Sequence, residues 1–154
     1  MTNPGLERVY LDANSFIGMV EGTGPRTDRL MPLFDRIAEG RLVGITSELT
    51  AAEVLVHPLR RGDDETAEAY RDILSPRWPI ATLGIDLATL EVAAATRAKF
   101  PRLKLPDAIH IATCVRADCG IFVSADRELP LPAAVRLVNP DDPLDVDRFL
   151  TALP

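Results

Sequence analysis

A chain of 154 residues can bury one core but is short for two domains of ordinary size, so a single domain over residues 1–154 is expected. Its 47% hydrophobic and 26% charged content is that of a globular protein, and no apolar run approaches the roughly 18 residues that a membrane span requires. A formal charge of -6 weighs against a nucleic-acid partner, because phosphate binding usually leaves a basic footprint.

Met1 to Glu7 shows no basic segment followed by an apolar one, so the cytoplasm is the expected location. Arg8 to Leu11 then supplies the β-type residues Val9 and Tyr10 and leads into Asp12, after which Asn14 and Ser15 offer helix-capping oxygens. A helix is expected from about Arg26 to Ala38, stopped by Gly40, and Leu42 to Ile45 suits a short buried strand. Thr46 and Ser47 are expected to cap a third helix that continues to His57, where Pro58 ends it. Gly62-Asp63-Asp64 marks a turn before a polar helix through Leu74.

Ile80 to Leu83 reads as a strand, and Asp86 as the N-cap of a helix reaching Lys99. The next helix begins near Pro106. Its Ala108, Ile109, Ile111, Ala112, Cys114, Val115 and Ala117 are apolar on every side, which predicts a helix packed between other elements and ended by Gly120. Ile121 to Val123 and Val135 to Val138 are the last strand candidates, ahead of a short C-terminal helix. Cys114 and Cys119 lack partners at zinc-ligand spacing and are read as reduced and structural. Strands alternating with helices predict a three-layer α/β/α architecture with a central parallel sheet, whose ligands bind beyond the C-terminal strand ends.

Asp12 directly follows the first strand, and Asp126 follows the strand ending at Ser124. Either alone suits a turn or helix cap. Glu53 falls on the apolar stripe Leu49, Ala52, Val56, so it requires a cation, a basic partner or a polar cavity. Asp107 opens the apolar helix, a position that the helix dipole already favours. Gathered together, four carboxylates would repel one another unless a hard cation lay between them. Oxygen ligands suit Mg²⁺ or Mn²⁺, whereas zinc would ask for His and Cys donors. If the four acids face bound cations, taking them out of the balance of -6 leaves -2. Positive charge clusters at Arg97, Lys99, Arg102 and Lys104 and again at Arg60 and Arg61, runs that usually form a solvated surface.

Four segments together resemble the PIN-domain ribonucleases, and within them the VapC-type toxins of bacterial toxin–antitoxin pairs. They are Tyr10-Leu-Asp-Ala-Asn-Ser, Ser47-Glu-Leu-Thr-Ala-Ala-Glu-Val-Leu, Leu105-Pro-Asp-Ala-Ile-His-Ile-Ala and Phe122-Val-Ser-Ala-Asp, spread over most of the chain. The resemblance implies metal ligands at Asp12, Glu53, Asp107 and Asp126, with Asn14 and Ser124 in support. Ser124 stands where the family more often has threonine, and it retains the hydroxyl. The resemblance further implies a compact PIN-like fold, Mg²⁺-dependent cleavage of RNA, frequent homodimers and inhibition by a small antitoxin protein. RNA processing without an antitoxin, or an inert binding module, are the alternative readings.

The expected chemistry is metal-assisted hydrolysis that leaves a 5′-phosphate and a 3′-hydroxyl. Attack by the substrate's own 2′-hydroxyl would instead call on histidines as acid and base. This sequence has two: His57 is expected to cap a helix end, and His110, three residues past Asp107, to hydrogen-bond within the core. A haloacid-dehalogenase-type phosphohydrolase would need Asp at position 14, and a von Willebrand A-type metal site would need Asp-x-Ser-x-Ser; each lacks a ligand here.

Overall fold

The computed structural model describes residues 5–153. In chain order the elements are β1 (Arg8–Leu11), α1 (Ala13–Val20), α2 (Pro25–Ala38), β2 (Val43–Ser47), α3 (Leu49–Val54), α4 (Val56–Arg61) and α5 (Asp64–Ile73). They continue with β3 (Ile80–Leu83), α6 (Leu87–Lys99), α7 (Leu105–Arg116), β4 (Ile121–Val123), β5 (Arg136–Val138) and α8 (Asp145–Thr151). The strands form one five-stranded sheet in the order β3-β2-β1-β4-β5, and every pairing is parallel.

β1 is the central strand, and alternation along it supplies both cores. Val9 and Leu11 pack with Phe16, Leu33 and Tyr70 on one face; Tyr10 packs with Ile45, Ile111 and Phe122 on the other. A strand buried on both faces reads as an unbroken apolar run, as this one does. Helices α1, α2, α5 and α8 cover the first face, and α6 and α7 the second. The result is the expected α/β arrangement with helices on both sides of a parallel sheet. From Ala108 to Cys114, α7 is buried without interruption, as its all-round apolar pattern predicts.

Local differences from expectation have identifiable causes. Thr46 and Ser47 belong to β2 rather than to a helix cap: the Thr46 hydroxyl donates to the Leu11 carbonyl at 2.8 Å, tying β2 to the centre of the sheet. Ser47 still receives the Leu49 N–H on its hydroxyl at 3.2 Å. The helix expected to stop at Pro58 instead breaks at Leu55 and restarts as α4, which carries Pro58 in its first turn. A continuous helix would drive the proline ring into the carbonyl of Val54, whereas a first-turn proline gives up only an N–H that has no partner there. His57 therefore lies in the first turn of α4, exposed, not at the C-terminal end of a helix.

The end of α7 is set by Asp118, not Gly120. Asp118 adopts a left-handed φ of 51°. Its N–H donates to the Val115 carbonyl at 3.1 Å and that of Cys119 to the Cys114 carbonyl at 3.0 Å, closing a Schellman motif. At Gly120 a Cβ would meet only the movable Glu7 carboxylate, at 2.4 Å, so neither the helix end nor close packing requires glycine there.

Candidate active site

β1 is followed along the sheet by β2 and β3 on one side, while β4 returns to its other side. The strand order thus reverses between β1 and β4, and in open parallel sheets the crevice at such a point binds ligands. Asp12 follows β1 directly and Asp126 lies three residues past β4, so both acids stand at this crevice. Asp107, in the first turn of α7, and Glu53, on α3, approach it from the helical layers.

Asp12 is the N-cap of α1, a role expected of Asn14 or Ser15. Its Oδ1 accepts from the Ser15 N–H at 3.1 Å and the Ser15 hydroxyl at 3.2 Å. Burial pushes its carboxyl above the ordinary aspartate range, opposed by hydrogen bonds from Ser124 and Ser15 that favour the charged form. Asn14 is exposed one residue into α1. Ser124 is buried, and its hydroxyl also accepts the Asp126 N–H at 3.2 Å, so one serine links the two strand-end acids. Asp126 itself is exposed and accepts from the Glu128 N–H at 2.9 Å, a turn-forming contact. Both strand-end acids therefore do the local structural work that single aspartates commonly do.

Asp107 is partly buried. Burial raises its carboxyl against the opposing effect of His110, the neighbouring charges of Asp126 and Glu53 push the same way as burial, and Lys104 opposes them. These couplings place Asp107, Asp126 and Glu53 in one electrostatic neighbourhood. The donors are all oxygens, the set a hard divalent cation takes, and their mutual repulsion is what such a cation would relieve. Among the described residues, no three acids, histidines or cysteines close around a single ion-sized point.

Glu53 reaches the site by a different face from the one its sequence pattern suggests. Ala52 and Val56 of the expected apolar stripe are exposed, and the buried face of α3 is Thr50 and Val54. Thr50 can turn inward because its hydroxyl shares a 2.8 Å hydrogen bond with that of Thr46. Glu53 lies beside this face with its side chain 33% exposed, its Oε2 2.7 Å from His110 Nε2. His110 is buried, as expected, and its Nδ1 lies 2.6 Å from the Tyr10 hydroxyl. Tyr10 was legible only as a strand former. The available signal was its hydroxyl, since a tyrosine at the middle of a central strand must find a polar partner inside.

Beside these acids opens a cleft of about 680 Å³ lined by Lys99, Phe100, Arg102, Lys104, Asp107 and Asp126 among others. Three members of the basic cluster thus border two of the acids. The fourth, Arg97, turns back to donate to the Leu103 carbonyl at 3.0 Å. Phe100 stands in the same wall with 46% of its surface exposed.

A parallel α/β sheet whose switch-point crevice gathers oxygen donors and opens onto a basic wall defines a class of protein that binds its ligand at the carboxyl ends of its strands. The chain belongs to the PIN-domain family, whose profile matches residues 9–134, a family of nucleases. No curated protein sequence matches it. Several solved structures share the fold. A toxin–antitoxin complex from Klebsiella pneumoniae aligns with a TM-score of 0.63 at 21% identity, covering 86% of this chain and 97% of the other. A DNA-bound VapBC from Salmonella typhimurium aligns with a TM-score of 0.68 at 14% identity, covering 88% and 99%. VapC20 of Mycobacterium tuberculosis, described as a sarcin-ricin loop cleaving toxin, aligns with a TM-score of 0.60 at 16% identity, covering 79% and 92%.

Proposed function

We propose that this chain is a divalent-metal-dependent endoribonuclease and the toxin of a toxin–antitoxin pair, with Asp12, Glu53, Asp107 and Asp126 as the ligands of Mg²⁺ or Mn²⁺. The observation that carries the reading is that Asp12 and Asp126 follow the adjacent strands β1 and β4 and share Ser124, while Asp107 is coupled to Asp126 and Glu53 beside a cleft walled by Lys99, Arg102 and Lys104. When bound, the metal supplies a water of lowered pKa and neutralises charge on the departing oxygen. The protein's own part is to hold its carboxylates in place. Ser124 and Ser15 hydrogen-bond Asp12, Ser124 also accepts from the Asp126 backbone, and His110 holds Glu53. Asn14, exposed on α1 two residues past Asp12, is proposed as a supporting residue at the rim.

The histidines favour this chemistry over a metal-free route. Both ring nitrogens of the buried His110 are engaged, and His57 is exposed on α4, so neither forms the opposed acid–base pair that attack by a 2′-hydroxyl calls for. The basic wall supports an RNA substrate despite the overall negative charge, because phosphate responds to the charge at the groove it enters. The likeness to toxin–antitoxin complexes and to a sarcin-ricin loop cleaving toxin supports a small antitoxin partner, and with it we propose a homodimer acting in the cytoplasm as one domain.

The test is cleavage of a mixed RNA pool by the wild-type protein with Mg²⁺, with EDTA, and by Asp12→Ala with Mg²⁺. Cleavage in the first alone, leaving 5′-phosphate ends, supports the enzyme; equal cleavage in all three sinks the metal site. A short upstream gene whose product relieves growth arrest on co-expression is the expected sign of the antitoxin, and growth unaffected by the chain alone overturns the toxin reading.

A further inference from the structure

Tyr10, His110 and Glu53 come from β1, α7 and α3, and they form a continuous hydrogen-bonded line from the middle of the sheet to the edge of the acid cluster. The Tyr10 hydroxyl lies 2.6 Å from His110 Nδ1, and His110 Nε2 lies 2.7 Å from Glu53 Oε2. Tyr10 is wholly buried and His110 is 4% exposed, whereas Glu53 keeps a third of its side chain in solvent. The inner two members are fixed by packing: Tyr10 stacks against Phe122 with ring centroids 4.9 Å apart and meets the His110 ring edge-on at 5.8 Å. Among the described residues no buried side-chain nitrogen or oxygen lacks a partner.

We infer that Tyr10 and His110 are positioning residues for the metal site, forming a one-directional relay that holds Glu53 Oε2 and leaves the other carboxylate oxygen to ligate. The inference rests on the metal-site reading above. Its direction follows from the donor inventory. An ionised Glu53 can only accept, so His110 Nε2 carries the hydrogen and donates. In the neutral imidazole Nδ1 is then the acceptor, and the tyrosine hydroxyl is its donor. A carboxylate held this way loses its freedom to rotate off the ion, and outer partners of metal ligands typically carry 10- to 100-fold in metal affinity.

A purely structural role for His110 would make the same contacts, so the test separates metal affinity from stability. Tyr10→Phe/His110→Leu removes both inner polar groups together and leaves no buried orphan, so the fold is retained. His110→Gln keeps an N–H able to reach Glu53 and an oxygen able to accept from Tyr10. Mn²⁺ affinity is measured by electron paramagnetic resonance of the free ion, beside thermal unfolding of each metal-free protein, with Asp12→Asn as the site control. The relay predicts roughly 10- to 100-fold weaker Mn²⁺ binding in the stable double variant, with most of the affinity restored in His110→Gln. Nitrogen NMR of the metal-free wild type is expected to show the Nε2–H tautomer.

Wild-type Mn²⁺ affinity in the double variant, when Asp12→Asn has lost it, overturns the relay and leaves the metal site standing. An Nδ1–H tautomer overturns the relay's direction in the same way. Absence of Mn²⁺ binding by the wild type overturns the metal site, and this inference with it.

Discussion

Asp12 both caps α1 and stands in the acid cluster, and two substitutions separate those roles. Asp12→Ala deletes the oxygen that accepts from the Ser15 N–H at 3.1 Å and the Ser15 hydroxyl at 3.2 Å. Losing an N-cap acceptor costs about 1 kcal/mol, which in a chain of this size lowers Tm by about 2 to 4 °C. Asp12→Asn keeps a capping oxygen in the same place, since Asn caps as well as Asp. It also removes a charge whose burial is unfavourable, as the raised carboxyl shows. In EDTA, Asp12→Asn is therefore expected to melt at or above the wild-type temperature, with Asp12→Ala below it. Cleavage of RNA should fall to the EDTA background in both, because a neutral amide cannot replace an anionic ligand. Calorimetry and a gel assay on the same preparations give both readouts. Retained cleavage by Asp12→Asn would refute the ligand role, and an unchanged Tm for Asp12→Ala would refute the cap argument.

Burial and its acidic neighbours raise the Asp107 carboxyl, so the folded metal-free protein holds that proton more tightly than the unfolded chain does. The resulting stability is complete below the ordinary carboxylate pKa of about 4 and is lost as pH rises through the raised value; in EDTA, the Tm advantage of Asp107→Asn over wild type should widen from about pH 4 toward neutrality. A constant difference across that range would refute the shift. Arg102→Ala/Lys104→Ala should weaken binding of single-stranded RNA to an inactive Asp12→Asn background and flatten its salt dependence by about 0.7 in slope for each phosphate contact removed; an unchanged slope would place the RNA elsewhere. Ile111→Ala, at a site 2% exposed in the α7 core, should cost about 2 to 5 kcal/mol in urea unfolding.

The elements with long or unambiguous patterns were legible in the sequence. The apolar centre of α7, the strand before Asp12 and the Asp86 cap, whose Oδ1 accepts from the Thr89 N–H at 2.9 Å, all lie where local chemistry puts them. The misreadings have one kind of cause, a tertiary partner that a linear pattern does not display. Thr46 and Ser47 look like cap residues until the Leu11 carbonyl is brought beside the first. The Leu49, Ala52, Val56 stripe looks like the inner face of α3 until Thr46 offers Thr50 a hydroxyl inside. Asp12 and Asp126 could be placed at the crevice because strand ends can be read directly. The Tyr10–His110–Glu53 line could not, since it spans 100 residues between its first two members.

Each acid of the cluster has an ordinary reason for its place: Asp12 caps, Asp126 forms a turn, Asp107 faces a helix N-terminus and Glu53 pairs with a histidine. Those reasons explain every acid singly and leave their assembly unexplained, because none of them requires the four to share one end of the sheet. Caps and turns would serve equally well with the carboxylates far apart; burial alone raises the Asp12 carboxyl, whereas for Asp107 the charges of Asp126 and Glu53 add to the effect of burial. The local roles set where each side chain starts; the repulsion among Asp107, Asp126 and Glu53 is the part that the proposed cation would relieve.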